Sequence, residues 1–170
     1  MGMIGCFRLV EPRRLAALLE APEAIADFLS EEEQLEAPSE DIADLDIDKA
    51  WHGIHFLLTG TEAEGSPPLN FLLQGGHPIG DEDVGYGPAR GFTREEVRAL
   101  VQALEPLTPE VLGGRFDPRR MTKLDIYPDI WNRQEEDADN REYLLDYYVR
   151  LKEFLKHGAE RGFALIVYVT

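Results

Sequence analysis

Leu45–Gly60, LDIDKAWHGIHFLLTG, is the stretch on which the fold turns. At 100° per residue, Trp51, Ile54, Leu57 and Leu58 fall on one broad apolar arc, and Ala50 and Phe56 extend apolar character beyond it. Little of such a helix tolerates water, so the interior is its expected place. Asp46 and Asp48 stand where an aspartate accepts hydrogen bonds from free N–H groups at a helix start and suits the positive end of the helix dipole. Gly60 suits the residue after the last turn, where left-handed backbone is usual.

One face of this helix departs from the rest. Asp48, His52, His55 and Thr59 recur at spacings of four, three and four, which places them on a single stripe. Buried polar groups need partners, so the stripe either meets polar groups inside the fold or lines a cleft. In a cleft, imidazole does acid–base work and Asp48 orients or charges it. In the interior, the same residues are hydrogen-bonded structural histidines on a capped helix, the commoner use of histidine on a packed helix. HxxH can place two metal ligands on one face, but His77 and His157 are the only other histidines. No nearby cysteine or HExxH pattern supports zinc, so neither a metal nor another cofactor is expected.

The chain's 170 residues suffice for one domain with a proper core, and a 44% hydrophobic content argues for a folded chain. Seventeen basic against 33 acidic residues leave a formal charge of −16. A negative surface repels nucleic acid and anionic membranes, so neither is expected as a partner. It steers a basic protein partner, although solubility alone also accounts for it. Cys6, the single cysteine, permits no internal disulfide and fits a reducing compartment. With no apolar run of membrane-spanning length and no signal-type start, the sequence reads as cytoplasmic.

Flanking segments supply the other elements. Met3–Val10 is expected as a strand, and Pro12 and Pro22 each open a helical pattern. Glu31–Glu33 reads as a solvated helix surface, and Ala37–Asp41 as a break. Pro68–Gln74 reads as a short apolar helix stopped by Gly75 and Gly76. The irregular stretch from His77 to Gly91 follows, with GYGPAR at Gly85–Arg90. Thr93–Glu96, TREE, is a capping box ahead of the periodic Val97, Leu100, Val101 and Leu104. Thr108 with Pro109 and Asp117 with Pro118 are further helix starts. DIYPDIW, Asp125–Trp131, reads as extended, because Pro128 biases Tyr127 away from helix. A long amphipathic helix after Asn140 is expected to end at Gly158. Phe163–Val169 is apolar enough for a strand covered on both faces. The fold class is therefore α+β, a predominantly helical single domain over 1–170 around a small sheet that includes both terminal strands.

Four strings carry a resemblance. MGMIG from Met1, LDIDKAWHGIHFLLTG, GYGPAR, and IYPDIW at Ile126–Trp131 resemble the YfbM-like family of bacterial proteins, also called DUF1877. The resemblance spans essentially the whole chain. It implies a single α+β domain of cytoplasmic proteins with no established activity and no catalytic residues to transfer, and fold alone does not supply a function.

Two functions compete. The first is a non-catalytic binding protein with an acidic surface suited to a basic protein partner; it rests on the charge and on the lack of a nucleophile–base motif or phosphate loop. The second is a small enzyme in which Asp48, His52 and His55 do acid–base work while Arg90 holds an anionic substrate. Trp51, Tyr86, Arg90 and Tyr127 are the candidates for contact with a ligand in either case.

Overall fold

The structure is a computed structural model that describes residues 2–30 and 43–170. The acidic run Glu31–Glu33 and the break at Ala37–Asp41 lie outside the described residues. Five strands, β1 (Gly5–Val10), β2 (Asp44–Asp46), β3 (His77–Pro78), β4 (Arg90–Phe92) and β5 (Ala164–Val169), form one antiparallel sheet in the order β2-β1-β5-β4-β3. The terminal strands pair directly, from Gly5 opposite Val169 to Val10 opposite Ala164. β5 is buried at all six positions, as its unbroken apolar run requires.

Helices clothe both faces of the sheet. Alternate strand residues Phe7, Leu9, Leu165 and Val167 enter a large core with α3 (Trp51–Thr59), α4 (Arg94–Leu104) and α7 (Asp137–Arg161). Val10, Ala164, Ile166 and Tyr168 point the other way, onto α1 (Pro12–Glu20) and α2 (Ile25–Ser30). Two short helices, α5 (Pro109–Gly113) and α6 (Pro118–Lys123), connect α4 to the segment before α7. Thr93 and Glu96 close the expected capping box, and Thr108 and Asp117 each accept an N-cap bond ahead of a proline. No helix among the described residues is long and apolar enough to cross a membrane.

Several local expectations are corrected. Asp46 and Asp48 do not cap the central helix with their side chains. Instead the Asp46 carboxylate accepts the N–H of Asp48, whose φ of +49° lies in the left-handed region, and a 3-10 turn over Asp48–Ala50 leads into α3. Residues 67–73 are a run of turns rather than a helix, because only a few backbone bonds such as Phe71 N–H to Pro68 O close there. The stretch from His77 to Gly91 is not wholly irregular: its two ends pair as β3 and β4. Asp125–Trp131 bends rather than extends, with a cis Tyr127–Pro128 bond and Asp125 at φ +52°. α7 begins at Asp137, inside the polar stretch, and passes Gly158 to end at Gly162. Gly158 is there for packing, since a Cβ would lie 2.5 Å from Leu9 of β1.

The contact between α3 and α7 can be tested at Gly53. A methyl group there would lie 2.6 and 2.9 Å from the two Cδ atoms of Leu144, which is itself fully buried. Alanine gains ~1 kcal/mol over glycine in a helix, whereas overpacking a rigid core costs ~1–3 kcal/mol. Gly53→Ala should therefore lower stability by about 1 kcal/mol in urea denaturation. A gain in stability would show that the two helices are free to move apart.

Candidate functional site

α3 is buried along almost its whole length, with Trp51, Ile54, Phe56, Leu57 and Leu58 in the core and Gly60 closing it in left-handed backbone. Each member of the polar stripe meets a different environment, and of the four only His52 donates to a backbone carbonyl of the loop 61–65. Nε2–H of His52 donates to the Glu62 carbonyl at 2.7 Å, while Nδ1 accepts the backbone N–H of Tyr127 at 2.8 Å. That pair of partners fixes one neutral tautomer, because a proton on Nδ1 would point at another N–H. Burial accordingly holds the His52 pKa below its usual value, although the Glu62 backbone pulls it upward. Thr59 Oγ1 completes the stripe, donating to the His55 carbonyl at 2.9 Å.

His55 is the outlier. It is fully buried, and neither ring nitrogen has a hydrogen-bond partner among the described residues. The Glu64 backbone lies near enough to pull its pKa upward without closing a hydrogen bond of normal geometry. Burial, reinforced by His52 and Arg90, dominates and lowers the pKa to about 4. At neutral pH this imidazole is an uncharged core group.

Around Trp51 the chain gathers aromatic rings from three separate segments. The Trp51 ring lies 5.1 Å from that of His52 at 11° and 5.6 Å from that of Tyr127 at 26°, both stacked. Tyr86 approaches from the outer side at 6.4 Å, tilted by 43°. The backbone of Met3 is clasped between them: Trp51 Nε1–H donates to its carbonyl and its N–H donates to the Tyr127 hydroxyl, each at 2.9 Å. Beneath, the Tyr143 hydroxyl donates to Asp48 at 2.8 Å, and burial with that carboxylate pushes the tyrosine pKa up.

Tyr86 is carried on a hydrogen-bonded loop. Asp83 Oδ1 accepts the N–H groups of both Gly85 and Gly87, and the Tyr86 N–H donates to Val169 at the end of β5. Gly85 has φ +152°, and a Cβ there would lie 2.6 Å from Thr170 Cα, so a side chain is excluded on both counts. Tyr86 is 61% exposed, the most exposed large hydrophobic residue among those described.

Of the residues singled out from sequence, the structure brings Trp51, His52, Tyr86 and Tyr127 into one cluster, while Asp48 meets Tyr143. Arg90 is engaged elsewhere. Its guanidinium donates to the carbonyls of Leu72, Gln74 and Gly75, tying the 67–73 turns to β4, and burial lowers its pKa to about 10. The residues that sequence reasoning passed over are Tyr143 and the backbone of Glu62 and Glu64. Tyr143 stands one helical turn before Tyr147 and was findable; a carbonyl carries no signal in its residue type.

The chain belongs to the family described as Domain of unknown function (DUF1877), which it matches over residues 1–168. Among its relatives is Protein YfbM of Escherichia coli (strain K12), 33% identical over 144 residues that cover 79% of this chain and 78% of YfbM. The crystal structure of YfbM from Escherichia coli, described as a protein of unknown function, superposes with a TM-score of 0.74 at 27% identity. That superposition covers 98% of this chain and 99% of the other.

The two histidines give opposite mutational signatures. The folded His55 binds a proton only near pH 4, whereas in the unfolded chain it does so near pH 6.5. Between those values the unfolded state holds more protons, so stability falls as the pH drops from 7 to 4, by up to ~3 kcal/mol. His55→Leu removes two unpartnered nitrogens and should be neutral or stabilising at pH 7 while flattening that dependence. His52→Ala strands the Tyr127 N–H and the Glu62 carbonyl and should cost about 2 kcal/mol at pH 7. Urea titrations of both variants at pH 7 and pH 5 measure each effect.

Proposed function

We propose that the protein is a non-catalytic binding protein that engages a basic protein partner through the face around Tyr86. The observation that carries this reading is the exposed Tyr86, packed against Trp51 and presented beside Asp81, Glu82 and Asp83, all exposed. A tyrosine held against a buried tryptophan offers a large contact area at small entropic cost, and such side chains dominate binding energy where they occur. Neighbouring carboxylates favour lysine and arginine on the partner, and the overall charge of −16 speeds its approach. The single cysteine suits a cytoplasmic setting. A neutralising partner for a cationic protein is the concrete form of this role.

The chemistry of the stripe supports a binding role over catalysis. A general base needs a nitrogen free to take a proton from substrate. His52 has both nitrogens committed to backbone groups, and His55 is sealed. Arg90, the intended anion holder, spends its donors on three carbonyls.

Immobilised protein should retain lysine- and arginine-rich peptides from an array at low ionic strength and release them in about 1 M salt, where charges are screened beyond ~3 Å. Tyr86→Ala should weaken retention by about tenfold or more, as expected for a central aromatic contact, while leaving the urea midpoint unchanged. Equal retention by the Tyr86→Ala protein, or no retention at low salt, refutes the proposal.

A further inference from the structure

A second feature lies at the opposite end of α3, about 12 Å along the helix axis from the Trp51 cluster. There a cavity of about 380 Å³ opens between the last turn of α3, Phe56 to Gly60, and the residues Arg115, Asp117 and Arg120. The end of a helix leaves backbone carbonyls without intrahelical partners. Arg115 Nη1–H donates to the Leu57 carbonyl and Arg120 Nη2–H to the Gly60 carbonyl, each at 3.1 Å. The Arg120 guanidinium also lies over the Phe56 ring, 5.8 Å from its centre.

Capping the helix accounts for only part of this arrangement. A guanidinium carries five N–H donors, and one on each arginine is engaged with a carbonyl. No carboxylate pairs with Arg115 or Arg120 among the described residues, in a chain where acids outnumber bases 33 to 17. The one carboxylate at the cavity among the described residues, Asp117, accepts the backbone N–H of Arg120 at Oδ1 as the N-cap of α6. The surrounding RFDPRRMTK, residues 115–123, carries four basic side chains and a single acidic one. Two cations therefore share one concave wall of an otherwise anionic protein. Their anchorage to backbone lowers the entropy lost when a ligand takes up the remaining donors.

We propose that this cavity binds a small oxyanion-bearing molecule, its carboxylate or phosphate group held between the guanidiniums of Arg115 and Arg120. Oxyanions accept charge-assisted hydrogen bonds from the guanidinium fork, and Asp117 at the rim disfavours a ligand whose charge extends beyond that fork.

Titration calorimetry of the full chain with inorganic phosphate and, separately, with succinate at low ionic strength tests the proposal. One saturable site for either probe is expected, and the stronger of the two identifies the oxyanion. Arg115→Gln and Arg120→Gln should each weaken it by about tenfold, the loss of one charge-assisted hydrogen bond. Because these arginines also cap α3, a second measurement uses the unaltered protein. Phenylglyoxal modification, mapped by mass spectrometry, should be slowed at Arg115 and Arg120 by the bound anion and unaffected at the exposed Arg13 and Arg94. Lack of saturation by both probes, wild-type affinity in the variants, or protection that does not favour Arg115 and Arg120 overturns it.

Discussion

The imidazole of His52 is the joint on which this structure depends. It takes a backbone hydrogen bond from the segment at Tyr127 and gives one to the loop at Glu62, while its ring stacks on Trp51. Two other stretches, 10 and 75 positions away, are thereby tied to one position on a buried helix. An apolar residue there would leave an amide and a carbonyl without partners, and each such orphan costs ~1–3 kcal/mol. The neutral form of histidine alone offers one donor and one acceptor on opposite sides of a flat, stackable ring.

The same helix separates two kinds of chemistry. Its first turn gathers aromatic rings and the Asp48–Tyr143 hydrogen bond, next to an acidic loop. Its last turn gathers arginines around carbonyls that lack intrahelical partners. Both follow from how a helix ends: the entrance is set by a left-handed Asp48, and the exit needs donors for unpaired acceptors. Between them the interior is closed, and His55 sits there without a hydrogen-bond partner on either nitrogen among the described residues. A leucine would fill the same space without desolvating polar atoms, so the presence of histidine has no packing rationale.

Much of this was legible from residue order where the cause is local. The apolar arc of α3, the Thr93 capping box, the proline-opened helices and the fully buried β5 all depend on side chains a few positions apart. Expectations failed where a distant contact decided the outcome. Gly158 resembled a helix stop but serves the approach of Leu9 from β1. Asp46 and Asp48 resembled caps, yet Asp48 turns toward Tyr143, 95 positions away. Arg90 resembled a ligand-binding arginine because no pattern reveals that carbonyls of residues 72–75 converge on it. The stripe on α3 was visible as a stripe; that two backbone groups would answer His52 was not.

β5 has a further consequence, for how the polypeptide acquires its shape. It is the central strand, flanked by β1 and β4, and it is made from residues 164–169. Synthesis from the N-terminus therefore produces β1 and β4 long before the strand that bridges them exists, and both have a bare edge in the meantime. Phe7, Leu9 and Phe92, all destined for the interior, lack their cover over the same interval. Contacts between positions more than 150 apart, such as Gly5 with Val169, carry a high closure entropy and slow the assembly of a sheet. The sheet thus closes only once residues 164–169 have been made, and until then its unpaired edges and uncovered apolar residues favour aggregation.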